Sequence, residues 1–326
     1  MTVSMPRAMA PRAASVRAPR TGASTRRSRY TRPVRASATS SSPGSSDATL
    51  PSVSRRDVLA LAAGLLASIP IASASASSPA SVDTPEVRAA LRAALEANIV
   101  KTKAPAVLRL VFHDAGTYDE ATKTGGMNAS VRFELGRPES FGLKRGLGPV
   151  TAAWESLRDG PASGLSLADV IAAAGAYAVE LTGGPKIDVR LGRVDATSAD
   201  PEGRMPTENA SGEETRARFA AMGYSVGETV ALAGAHTIGG KGFGEPYAFD
   251  NEYYKTLLKR PWADPNASKD DLEMASHIGL TSDKNLAVDE PCLEWIRKYA
   301  DDQNAFFADF SAVYVKMTER GATFAA

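Results

Sequence analysis

The sequence holds one cysteine, three histidines and three tryptophans in 326 residues. One cysteine, Cys292, excludes an intramolecular disulfide framework and a metal site built from several thiolates. Its apolar setting reads as that of a small core residue. Lys and Arg outnumber Asp and Glu by only 38 to 37, so overall charge makes no case for a nucleic-acid or membrane-surface partner. The chain also lacks HExxH, GxSxG, a phosphate loop and a GxGxxG fingerprint; GGPKIDVRLGR has the glycines without the spacing.

The near-zero charge conceals an asymmetry. Residues 1–56 are rich in Arg and Ser with one acid, Asp47, the composition of an organelle transit peptide. Next comes SRRDVLALAAGLLASIPIASASAS, with a twin arginine (Arg55, Arg56), an apolar run from Val58 to Ile71, and Ala-x-Ala sites ending at Ala74 and Ala76. That run is shorter than the ~20 apolar residues of a bilayer span, which favours a cleaved export signal over a retained anchor. The expected organisation is a chloroplast transit peptide over 1–53 and a twin-arginine lumenal signal over 54–76, cleaved within 72–78. A linker over 77–86 and a domain over 87–326 follow, and the expected location is the thylakoid lumen.

The domain reads as mainly α. Thr84 and Pro85 start a helix whose Val87, Leu91, Leu95 and Ile99 recur at fourfold spacing. Ala104–Tyr118 reads as the next helix. Further helical patterns cover Pro149–Arg158, Ser166–Glu180, Gly212–Met222, Ser225–Leu232, Asn251–Lys259, Glu290–Tyr299 and Asp302–Glu319. Ser166/Asp169 and Ser225/Glu228 have capping-box spacing. Asp119–Gly142 and an insertion-like stretch, Asp264–Gly279, read as loop, the latter with His277 on the surface. Lys186–Leu191 is the clearest strand signal.

Two histidines lie in apolar helical surroundings: His113 in LRLVFHDAG and His236 in VALAGAHTIGG. Arg109 and His113 share a helix face one turn apart. On the residues alone, each histidine is a satisfied core group or a piece of acid–base machinery.

Together the segments resemble the plant-type haem peroxidases. LRLVFHDAGTYDEATKTGG is similar to their distal helix and loop, and ALAGAHTIG to their proximal-histidine signature. LSLADVIAAAGAYAVELTGGPKIDVRLGRVDA, EGRMP, FDNEYYKTLL and LTSDKNL follow the family order. HDAGTYD and the missing disulfide cysteines point to the ascorbate-peroxidase branch, with the lumenal ascorbate-peroxidase-like proteins most similar. The resemblance implies a two-lobed helical fold around haem b, with minimal β structure, reducing hydrogen peroxide with a small ascorbate-type donor. It makes His236 the haem-iron ligand, Asp283 the acceptor of its other N–H, His113 the general base, and Arg109 the stabiliser of developing charge. Phe112 packs on the distal face in this reading, Glu134 stands behind the distal histidine, and Thr237 and Asp250 retain two cation-site positions.

Some positions depart from that pattern. Phe112 stands for a Trp, and Ser140 for the Asn that orients the distal histidine. The segment after His236 is short and glycine-rich and lacks the proximal Trp, leaving Tyr247 or Phe243 for that slot. Lys101 and Lys241 are the basic candidates for the donor site, and the short loop is expected to open the proximal side. No metal besides the haem iron at His236 is expected. The alternative reading is a non-catalytic protein of the same fold, with little or no haem, that partners a thylakoid membrane photosynthetic complex.

Overall fold

The computed structural model describes residues 82–259 and 261–325; the expected targeting segments and the first half of the expected linker lie outside them. Helices run in the order α1 (Pro85–Asn98), α2 (Ala104–Ala115), α3 (Lys144–Ser156), α4 (Leu167–Leu181), α5 (Gly212–Ala221) and α6 (Val226–Ala233). After these come α7 (Glu252–Lys259), α8 (Lys269–Ser276), α9 (Thr281–Leu286), α10 (Glu290–Asp301) and α11 (Gln303–Glu319). The local signals that start them are present: Thr84 caps α1, and capping boxes open α4 and α6 at Ser166 and Ser225.

Helices α1 to α4 pack as one group; α6, α7, α10 and α11 pack as another, and α11 also touches α2. This arrangement puts Arg109 and His113 in the first group and His236, just after α6, beside the second. Every residue of α4 from Leu167 to Val179 is buried. Its alanines and Gly175 permit the close crossing. A Cβ on Gly175 would stand 2.2 Å from the Tyr314 hydroxyl of α11 and 2.5 Å from a Val111 methyl of α2.

Four expectations change. Lys186–Leu191 forms no strand ladder; only the isolated bridges Asp119–Thr124 and Arg193–Phe324 occur among the described residues. The third helix begins at Lys144 and carries Pro149 as its sixth residue, where the missing N–H removes one i→i−4 hydrogen bond. The stretch Asp119–Gly142 contains two 3₁₀ turns, Ser130–Phe133 and Pro138–Ser140. Half of the insertion-like stretch is helix, started by a capping box between Ser268 and Asp271. Among the described residues no helix is long and apolar enough to cross a membrane.

Candidate active site

His236 lies in a 3₁₀ turn, Gly234–Thr237, that extends α6. Glycine is needed at 234 because a Cβ there would meet the Tyr254 hydroxyl at 2.2 Å. The His236 Nδ1–H donates to Asp283 Oδ1 at 2.7 Å. Asp283, 1% exposed, also accepts the Tyr253 hydroxyl on Oδ1 at 2.9 Å and the Leu280 N–H on Oδ2 at 2.7 Å. Burial opposes a charge on either partner, yet their mutual attraction prevails: the imidazole pKa is raised and the carboxyl pKa lowered. The His236 side chain is 42% exposed, and with Nδ1 committed to Asp283, Nε2 is the nitrogen left to coordinate a metal.

Arg109 and His113 do share a face of α2, but not as a core pair. Arg109 is exposed, and its guanidinium donates to the Phe141 carbonyl at 2.7 Å and the Glu139 carbonyl at 3.0 Å. His113 is buried; burial first, and then the Arg109 cation, lower its pKa to about 4. The imidazole is therefore neutral at neutral pH, the state of a general base. The unfolded chain holds the histidine proton up to a pH near 6.5 and the folded chain only to about 4. Stability is therefore expected to fall as pH drops through that window, by up to about 3 kcal/mol. Urea midpoints at pH 7 and 4.5 measure the fall, and His113→Gln should remove most of the His113 share.

The supporting residues each have defined partners. Phe112 stacks on Phe219 of α5, with ring centres 6.0 Å apart. Buried Glu134 accepts from the Asp200 N–H at 2.9 Å and from Arg137 at 2.8 Å, so it braces a loop. No hydrogen bond joins Ser140 to His113 among the described residues; the 3₁₀ turn holds Ser140, and its side chain is short. Asp114 secures the loop after α2 by accepting the N–H groups of Asn128, Ala129 and Val131. Thr237 Oγ1 donates directly to Asp250 at 2.8 Å.

On the proximal side Phe243, not Tyr247, is inside: Phe243 is 2% exposed and sits edge-on to Tyr253 at 4.7 Å, whereas Tyr247 is exposed. Lys101 and Lys241 are exposed as well. The short loop is not simply open. Gly279, just after α8, donates to the Lys241 carbonyl at 2.7 Å, so the insertion packs on that loop. Sequence reasoning missed Tyr253. The available signal was a tyrosine in an apolar stripe, whose buried hydroxyl requires a partner.

An imidazole anchored by a buried carboxylate, together with an Arg–His pair on a separate helix, places this helical protein in the peroxidase class. The chain belongs to the peroxidase family, in its ascorbate-peroxidase branch: the family's sequence model, described as "Peroxidase", matches residues 87–302. It is 46% identical over 224 residues to an Arabidopsis thaliana protein named "Putative L-ascorbate peroxidase 6", covering 69% of this chain and 66% of that one. It is 37% identical over 230 residues to "L-ascorbate peroxidase 5, peroxisomal" of the same plant, covering 67% and 76%. Against "Cytochrome c peroxidase, mitochondrial" of Pyricularia oryzae, identity is 36% over 243 residues, covering 68% and 65%.

Proposed function

We propose that the protein is a haem-dependent peroxidase that reduces hydrogen peroxide to water with electrons from a small organic reductant. The observation that carries this reading is the 2.7 Å His236–Asp283 bond, which fixes the ring tautomer and leaves Nε2 for iron. The donor set fits haem b, with His236 as the protein ligand. Haem, when bound, supplies the redox-active iron at which peroxide is reduced. The neutral His113 takes a proton from peroxide and returns it to the departing oxygen. Arg109, anchored on two carbonyls, supplies fixed positive charge against the charge that develops. The tandem signals of residues 1–76 support a thylakoid-lumenal location.

Titrating the mature protein with haem tests the proposal. A shifted Soret band is expected, lost in His236→Ala. Equal spectra for the two proteins would favour the non-catalytic reading, a partner of a photosynthetic complex; co-fractionation of the haem-free protein with thylakoid membranes would support it.

A further inference from the structure

Tyr253 is buried with 0% exposure, and its hydroxyl donates to the same Asp283 oxygen that accepts His236. Its ring is fixed by three neighbours. Phe243 lies 4.7 Å away edge-on, Tyr254 at 5.0 Å, and the His236 ring at 6.1 Å, nearly perpendicular. A residue needed only to fill this space would serve as phenylalanine. The hydroxyl adds a donor to a carboxylate oxygen already engaged by the imidazole, while the other oxygen is held by the Leu280 N–H at the start of α9.

Resting on the haem reading above, we infer that Tyr253 is a positioning residue that sets the electron-donating power of His236 through Asp283. An oxygen shared between two donors attracts each one less strongly. The Tyr253 hydroxyl therefore draws carboxylate charge away from the His236 N–H, and the imidazole becomes less imidazolate-like and a weaker donor to a bound metal. It also fixes the carboxylate, so the ring keeps one orientation. The sharing is a geometric fact about Oδ1: without the hydroxyl, that oxygen belongs to His236 alone.

The test compares haem-reconstituted wild-type protein with Tyr253→Phe, which keeps the ring and its packing. Losing a hydrogen bond to a charged group is expected to move the one-electron equilibrium about tenfold toward the oxidised form, a 59 mV more negative midpoint potential. The iron–imidazole stretching frequency is expected to rise. A potential and frequency unchanged from wild type would overturn the inference, including the case where only the melting temperature falls, which would mark Tyr253 as structural. Should Tyr253→Phe fail to fold, 3,5-difluorotyrosine at 253 is the second probe; its more acidic hydroxyl should shift the potential positive, and no shift would overturn the inference. Failure of wild-type protein to bind haem through His236 would instead refute the haem reading and is scored separately by the Soret titration.

Discussion

Replacing His113 with leucine is expected to slow the reaction of the haem-loaded protein with hydrogen peroxide by about 10²- to 10⁴-fold. Leucine keeps the buried volume and removes the only lone pair that α2 directs from this position. His113 suits the task because it is neutral: burial and the Arg109 cation hold its pKa at about 4, far below working pH, so almost every molecule carries the base form. Stopped-flow absorbance after mixing with peroxide checks the effect, with the Soret titration showing that haem binding survives. A rate within threefold of wild type would remove His113 from the mechanism. Arg109 should behave differently. Arg109→Leu removes an exposed charge and releases the carbonyls of Phe141 and Glu139.

Asp169→Ala is expected to be the most destabilising of the substitutions considered. The Asp169 and Arg193 side chains are 1% and 0% exposed and meet at 3.1 Å. Asp169 also accepts the N–H groups of Gly192 and Arg193, and Arg193 Nε donates to the Thr318 carbonyl near the end of α11 at 2.9 Å. One carboxylate thus joins the start of α4, the segment after Lys186–Leu191, and the last long helix. Burial already lowers the Arg193 pKa despite Asp169, so an unpartnered guanidinium would be left in a dry site. The expected cost is about 3–5 kcal/mol, a large part of an ordinary 5–15 kcal/mol stability. Urea denaturation of purified protein measures it, and a loss below about 1 kcal/mol would refute the assignment.

Asp169 marks the boundary of what could be read in advance. Its capping box with Ser166 follows from spacing alone, because both partners lie within one turn. Its second partner, Arg193, is 24 positions away and carries no local signal. The insertion was misread for a related reason: its residues are polar and largely exposed, so no apolar stripe announced α8, although Ser268 and Asp271 had the spacing of a helix start.

What the sequence by itself determined is local or motif-borne. The Arg109–His113 face, the capped helices and the mainly α character follow from periodicity. The ordered motifs identify the family and pair His236 with Asp283 across 47 positions. What only the tertiary structure decided is how the polar groups share partners. It placed the Tyr253 hydroxyl on Asp283 Oδ1, turned Glu134 toward Arg137, kept Ser140 from His113 and laid Gly279 on the Lys241 carbonyl. Side-chain periodicity records which face a residue occupies; a hydrogen bond depends on distances of tenths of an ångström between segments far apart in the chain, and those exist only once the helices have packed.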